Sequence, residues 1–155
     1  MSAQHQVTLE WGPAGIDAAA ADVIVIADAD RGTESAELQD RAPRTTLVLD
    51  ATLANASDIA RAALDEQVRL GERASIAIVA AGDRWGDGSL RPNAADLLVA
   101  GRVVDALAEL GIDFHSPACA AACAAAVGLR GATQSLVAAE SAARAERAEH
   151  GGAAR

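Results

Sequence analysis

Apolar residues form three short, nearly continuous runs along the chain. The runs span Asp22 to Asp28, Thr45 to Asp50 and Ala74 to Ala81, and each is rich in Val, Ile, Leu and Ala without polar alternation. Such runs are typical of strands that helices cover on both faces of a sheet. A shorter run, Val7 to Trp11, alternates apolar and polar residues and predicts an edge strand.

The segments that follow these runs carry apolar residues at helical spacing. Asn93 and Ser116 are well placed to cap two of the resulting helices, because a short polar side chain can accept a hydrogen bond from the first turn. The predicted helices are Ala56 to Leu70, Ala94 to Leu110, Pro117 to Val127 and about Thr133 to Glu149.

Strands that alternate with helices predict an α/β layered domain, with a mainly parallel sheet covered by helices on both faces. Residues 1–150 are expected to form a single domain and residues 151–155 a disordered tail. The polar segment Arg31 to Arg44 predicts a loop with one weak helical turn at most. Ligands bind beyond the carboxyl ends of parallel strands, so we expect a site where the apolar runs end.

Composition narrows the classes of function. The chain is 51% hydrophobic but only 2% aromatic, so its core must be aliphatic. All 13 basic residues are arginine, which excludes a Schiff-base lysine and a Walker A lysine and fits a GC-rich bacterial genome. The net charge of −9 makes nucleic acids and anionic membrane surfaces poor partners.

The expected compartment is the cytoplasm. The opening residues show neither a basic region nor an apolar run, and no segment approaches the ~20 residues that span a bilayer. Cys119 and Cys123 lie four apart in a predicted helix and suit a reduced compartment. With His115 they have the spacing of metal ligands, but a fourth ligand is missing, which favours a core stripe on an Ala-rich helix.

Polar residues cluster where the first apolar run ends. The hexapeptide DADRGT, which starts at Asp28 and ends at Thr33, holds two carboxylates, the guanidinium of Arg31 and a hydroxyl. Carboxylates bind Mg²⁺, whereas an arginine fork and backbone N–H groups bind phosphate oxygens. This stretch therefore indicates a site for a small anionic phosphoester, and an Asp/Gly-rich turn that simply leaves the sheet is the alternative.

The third apolar run leads into a second polar stretch, Ala80 to Gly101, which holds one of the two tryptophans of the chain. Trp85 is expected to cover the end of the sheet or to stack on Arg91. Asp87 and Gly88 predict a solvated turn. Arg84 and Asp96 add further candidates for phosphate and metal binding at this end of the sheet.

With these stretches, the chain resembles the 2-phosphosulfolactate phosphatase family. VIVIADADRGT is similar to the strand and signature of that family, ATLANASDIARAA to its strand-to-helix junction, and IVAAGDRWGDGSLRPNAADLLVAG is the closest match. The opening LEWGPAG looks like the first strand of bacterial members. The matching positions are Asp28, Arg31, Thr33, Asn55, Arg84, Arg91 and Asp96.

The resemblance implies a Mg²⁺-dependent enzyme that hydrolyses the phosphate monoester of a small sulfonated or carboxylated acid. Asp28 and Asp96 would hold the metal, and Asp28, Arg31 and Asn55 would be the catalytic residues. Substrate binding would fall to Arg31, Thr33, Arg84 and Arg91.

Several departures from the family pattern favour a second interpretation. The Gly-rich loops of the family are missing between Thr33 and Thr45, and Asp83 and Ala95 stand where the family has Glu. Such a chain would act as a non-catalytic binding or oligomerisation module, a homodimer that pairs through its Ala-rich helices. A flavodoxin-like nucleotide binder is the third interpretation, and the chain lacks a dinucleotide fingerprint for it.

Overall fold

The fold is built on one parallel sheet of four strands, followed by a small antiparallel hairpin. The computed structural model describes residues 4–152. The strands are β1 (Val7–Trp11), β2 (Val23–Ala27), β3 (Leu47–Ala51), β4 (Ile76–Ala80), β5 (Asp83–Arg84) and β6 (Leu90–Arg91). The sheet has the order β1-β4-β2-β3, and β5 pairs with β6 in the hairpin.

Six helices cover the sheet, and the predicted α/β layered domain is confirmed. The four predicted helices begin where the sequence places them, and their ends differ by three residues at most. Asn93 and Ser116 accept first-turn hydrogen bonds, as predicted, at 2.8 and 3.3 Å. The helices are α1 (Gly12–Ala18), α2 (Thr33–Arg41), α3 (Ala56–Leu70), α4 (Ala94–Glu109), α5 (Pro117–Gly128) and α6 (Thr133–Gly152).

The prediction of a loop over Arg31 to Arg44 is wrong, because α2 occupies nine residues of this segment. Leu38 is the one large apolar residue of α2, so the segment shows no helical periodicity in the sequence. In the fold, Leu38 is 1% exposed and packs in one cluster with Ile16 of α1, which the sequence also did not predict. Leu38 is therefore the main apolar anchor of the helix, and Arg41 adds an ion pair with Asp17 of α1.

The prediction of a disordered tail over residues 151–155 is wrong for its first two residues. Helix α6 continues through Gly151 and Gly152, and residues 153–155 lie outside the described residues. Within residues 4–152, no helix has the length and apolar character needed to cross a membrane.

The two faces of the sheet carry separate apolar clusters. In β2, Ile24 and Ile26 face α1 and α2, whereas Val23, Val25 and Ala27 face α3, α4 and α5. This alternation follows from the period of two in a strand. It explains why β2 reads as a continuous apolar run, since both of its faces are covered.

The two edge strands differ from each other in burial. β1 lies at one edge, as its alternating pattern predicts, with Val7 and Leu9 buried. β3 was predicted as a fully covered strand, but it forms the other edge and its residues 47–50 are only half-buried. The apolar run of β3 is therefore not evidence of burial on both faces.

Small residues bring α4 and α5 into close contact. A Cβ atom at Gly101 would lie 2.1 Å from the carbonyl oxygen of Ala122, so only glycine fits there. Cys119 and Ala126 of α5 are also buried, and Cys119 lies in the core, where burial raises the pKa of its thiol. The Ala-rich helices thus pack within one chain, and a homodimer stays a prediction.

Candidate functional site

The site lies between the neighbouring strands β2 and β4. The chain leaves β2 towards α2 on one face of the sheet, and it leaves β4 towards α4 on the opposite face. A crevice opens where neighbouring connections diverge in this way, and ligands of open α/β sheets bind there. The carboxyl ends are level, since Ala27 pairs with Ala80 in register.

Asp96 ties the two strand ends together from the first turn of α4. Its carboxylate accepts hydrogen bonds from the N–H groups of Ala29, after β2, and Gly82, after β4, at 3.0 and 2.9 Å. A third bond comes from the side-chain amide of Asn93 at 3.0 Å. Asp96 is 1% exposed. It therefore fixes the geometry of the crevice from below.

Asp28 organises the loop that follows β2. Its two carboxylate oxygens accept from the N–H groups of Asp30 and Gly32, both at 3.0 Å. The tight turn places Arg31 at φ 51°, a left-handed conformation that is uncommon for a residue other than glycine. The loop is thus held in one shape, with Gly32 directly before the first turn of α2.

The environment of Asp96 favours its neutral form. Burial, together with the negative charge of Asp28, raises the pKa of Asp96 to about 6, against the opposing effect of the hydrogen bonds from Ala29, Asn93 and Gly82. Near neutral pH, Asp96 is consequently closer to its protonation midpoint than an ordinary aspartate.

Asp83 forms the centre of an ionic cluster with α6. Its carboxylate lies 2.8 Å from Nη2 of Arg147 and 3.5 Å from Nε of Arg144. Burial raises the pKa of Asp83, but the bonds from Arg147 and from the N–H of Arg84, together with the charge of Arg144, outweigh burial and lower it. Asp83 is therefore ionised and joins the hairpin to α6.

Arg144 reaches from α6 into the crevice. Its guanidinium lies 3.5 Å from the carboxylate of Asp30 and donates to the carbonyl of Gly82 at 3.3 Å. Asp30 also accepts from the hydroxyl of Ser141 at 2.9 Å. Burial alone would lower the pKa of Arg144, but the charges of nearby carboxylates, Asp83 first among them, raise it. This side chain supplies positive charge among the acids of the crevice.

An open cleft of about 650 Å³ lies above this cluster, and we call it the arginine cleft. Residues 32–34 at the start of α2 form one wall, and residues 83–86 of the hairpin form another. Helix α6 completes it with Arg144, Arg147, Ala148 and His150. Three arginines, Arg84, Arg144 and Arg147, thus line a single space, together with the acids Glu34 and Asp83.

Trp85 and Arg91 form a stacked pair on the hairpin. The Arg91 guanidinium carbon lies 5.0 Å from the centroid of the indole, and Trp85 is 53% exposed. Carboxylates of Asp83 and Glu140 lie 3.9 Å from Nη1 of Arg91. Within residues 4–152, Nε and Nη1 of Arg91 find no hydrogen-bond partner although both are buried. Stacking on Arg91, one of two predicted placements of Trp85, is confirmed.

The predicted site residues fall into three places. Thr33 and Arg84 line the arginine cleft, while Asp28 and Asp96 lie beneath it. Arg31 is exposed beside Gly32 and forms no ion pair with any of residues 4–152. Arg91 lies behind the ring of Trp85.

Asn55 lies at the end of β3, away from the cleft. Its side-chain oxygen accepts from the N–H of Thr52 at 2.7 Å, and its amide donates to the carbonyl of Asp50 at 2.9 Å. The side chain therefore shapes the turn into α3. Asp87 is exposed and accepts from Ser89, which confirms the predicted solvated turn.

The contribution of α6 to the site was not predicted. Its residues Glu140, Ser141, Arg144 and Arg147 recur at helical spacing, so they share one face, and that face lies on the crevice. The signal was present in the sequence as a polar stripe. It resembled a solvated helix face, because ionic docking leaves no apolar periodicity.

The predicted Mg²⁺ ligands do not offer an open site. Each carboxylate oxygen of Asp28 and Asp96 already accepts a backbone N–H, and both side chains are 1% exposed. Among residues 4–152, no three His, Cys, Asp or Glu side chains are grouped to hold a metal ion. Arg144 provides the positive charge that the neighbouring acids require. The described residues thus fit the ion poorly.

Comparison with known proteins identifies no relative. No protein-family model, no curated protein and no solved structure matches the chain. The geometry of the crevice and the arginine cleft is therefore the main support for a proposed function.

Proposed function

We propose that this chain binds a phosphate monoester in the arginine cleft. The observation that carries the proposal is the convergence of the guanidinium groups of Arg84, Arg144 and Arg147 on one cleft at the switch point of the sheet. Arginine forks match the geometry of phosphate oxygens and form charge-assisted hydrogen bonds with them.

The start of α2 adds backbone donors to the same cleft. Gly32 is the N-cap residue and has no side chain with which to cap the first turn. The free N–H groups and the dipole of a helix start favour an anion. Glu34 lies at this end, and its carboxylate comes within 3.2 Å of the position that a Gly32 Cβ would take. Glu34 would therefore compete with a phosphate for the start of α2.

Binding can be measured by titration calorimetry with inorganic phosphate and glycerol phosphate. Arg147→Ala should weaken the binding of both by about 10- to 100-fold, because one charge-assisted interaction is lost. Glu34→Gln should tighten it, because a competing negative charge is removed. Arg130→Ala is the matched control, since Arg130 pairs with Asp105 outside the cleft. Equal affinity in all four proteins would refute the proposal.

Hydrolysis of the bound ester is the second candidate function. Two buried carboxyl groups, Asp28 and Asp96, lie beneath the cleft, and Asp83 and Arg144 line both the cleft and a cavity of about 10 Å³ that Asp96 also lines. Buried carboxyl groups at a switch point are candidates for acid–base chemistry. The resemblance to 2-phosphosulfolactate phosphatases implies a small sulfonated or carboxylated acid as the substrate and Mg²⁺ as the cofactor.

Phosphate release from 2-phosphosulfolactate and a panel of phosphate monoesters, with Mg²⁺ and with EDTA, tests this candidate. Release that EDTA abolishes and that Asp28→Asn removes would support the metal-dependent phosphatase. Binding without release, by wild-type protein with Mg²⁺ present, would leave a non-catalytic binding module.

A further inference from the structure

Trp85 presents an open aromatic face to the arginine cleft. It is 53% exposed and lines the cleft, whereas the guanidinium of Arg91 covers its ring from behind at 5.0 Å. Because Arg91 covers one face of the ring and does not line the cleft, we infer that the opposite face meets the cleft. A planar group in the cleft could stack on it.

The hairpin orders the backbone of Trp85, and Arg91 packs on its ring. The backbone N–H of Trp85 donates to the carbonyl of Ser89 at 2.8 Å, and the backbone carbonyl of Trp85 accepts from the N–H of Gly88 at 2.9 Å. Behind the ring, Arg91 lies near the carboxylates of Asp83 and Glu140. A side chain fixed in this way loses little conformational freedom on binding, so stacking on it is favourable.

The arrangement of charge and volume points to the rest of the ligand. Arg84 is the residue next to Trp85, and it pairs with Glu37 of α2 at 3.0 Å. Phosphate-binding groups and the aromatic face thus belong to one continuous cleft. Its volume of about 650 Å³ falls within the roughly 300–1,000 Å³ of pockets that hold drug-sized ligands, so there is room beyond a phosphate group.

We propose that the ligand of the arginine cleft is a phosphate monoester that carries a planar aromatic group, such as a nucleoside 5′-monophosphate. The aromatic group stacks on the free face of Trp85, and the phosphate binds Arg147, Arg84 and the start of α2. This inference rests on the proposed phosphate binding and adds the chemical class of the organic group.

Tryptophan fluorescence provides a direct test, since the chain has only two tryptophans. In a Trp11→Phe background, all indole emission comes from Trp85. Titration with AMP should quench this emission, and AMP should bind about 5- to 150-fold more tightly than glycerol phosphate, as expected for one stacked base. Adenosine without phosphate should bind far more weakly than AMP.

Two variants separate stacking from phosphate binding, with calorimetry as the readout. Trp85→Ala should lower the affinity for AMP to that for glycerol phosphate and leave glycerol phosphate unchanged, and Trp85→Phe should retain part of the difference. Equal affinity for AMP and glycerol phosphate in the wild-type protein would overturn the aromatic ligand and leave phosphate binding intact. Failure of every phosphate compound to bind would overturn both proposals. If adenosine bound as tightly as AMP, the arginines would not contribute to recognition of the ligand.

Discussion

Helices α5 and α6 both pack against α4, but they do so by different physical means. Residues 117–128 of α5 include no charged side chain, and the contact is as close as Gly101 and Ala122 allow. Helix α6 docks through Arg144 and Arg147 and through Glu140, which accepts from the N–H of Ala94 at 3.1 Å. The first contact is a steric fit that builds the core, and the second is an ionic contact that builds the site.

This difference has consequences for stability and specificity. Close apolar packing gains free energy from burial and tolerates no added atom. Partly buried ion pairs contribute less net stability, because the cost of desolvation offsets most of the attraction between the charges. Removal of one partner is nevertheless destabilising, because it leaves the other charge buried and unpaired. Helix α6 should consequently respond to charge, pH and salt far more than α5 does.

The largest expected effect is steric and concerns α5. Gly101→Ala should lower the free energy of unfolding by about 3 kcal/mol or more, because α4 and α5 must separate to admit the methyl group. Denaturation in urea measures the loss. Gly128→Ala is the control, since a Cβ at Gly128 meets no described atom within 4 Å, and it should change stability by less than about 1 kcal/mol. Equal losses in both variants would contradict the close packing.

The second effect is a pH dependence from Asp96. Its pKa is about 6 in the folded chain, against 3.8 for an unperturbed aspartate, so the folded state binds more protons between these values. The protonation of Asp96 therefore adds to the free energy of unfolding at about pH 4. This contribution falls as the pH rises to about 6 and does not change further at higher pH. The total change is on the order of 3 kcal/mol.

The Asp96→Asn variant isolates this contribution, because other acids have lowered pKa values and act in the opposite direction. Unfolding free energies of both proteins should be compared from pH 4 to 7. Wild type should lose stability relative to the variant over this range. A difference that does not vary with pH would show that Asp96 titrates normally.

The third effect concerns the docking of α6. Asp83→Asn should lower the free energy of unfolding by about 1–3 kcal/mol, because Arg144 and Arg147 lose a shared anion. Hydrogen exchange should accelerate in α6 and stay unchanged in α5. Asp105→Asn removes the more open pair with Arg130 and serves as the control, with an expected loss below about 1 kcal/mol.

The smallest effect should come from salt. Raising NaCl from about 0.1 M to 1 M shortens the screening length from about 10 Å to about 3 Å. Amide exchange in α6 should then accelerate by about 2- to 5-fold, since partly buried ion pairs are screened incompletely. The amides of α5 should not respond, and a uniform response of both helices would remove the distinction between them.

The sequence predicted the sheet and four helices because burial leaves a periodic trace. Val7 to Trp11 alternates, β2 and β4 read as continuous runs, and α3 begins and ends as predicted. Helix α2 left no such trace, because Leu38 is its one large apolar residue. Strand β3 shows the opposite case. Its continuous apolar run predicted burial on both faces, but it is an edge strand whose apolar residues are not fully covered.

The site was predictable only in part. Asp28, Thr33, Arg84 and Asp96 follow from the rule that strand ends meet, and the structure brings them to one crevice. Arg144 could not be placed, because an ion pair between residues 114 positions apart leaves no local pattern. The sequence shows which charges exist, but their pairing requires the fold.

These long sequence separations also bear on the order of folding. Ser141 and Arg144 contact Asp30, from which they are separated by 111 and 114 residues along the sequence. The paired strands are closer to each other in the sequence. Contacts that close long loops form late, because their entropic cost must be met before they contribute. A sheet with α1 to α5 can therefore assemble while the crevice is still open and acidic. The arrival of α6 adds Arg144 and Arg147 to it, so the proposed binding of an anion should be the last property that the folding chain acquires.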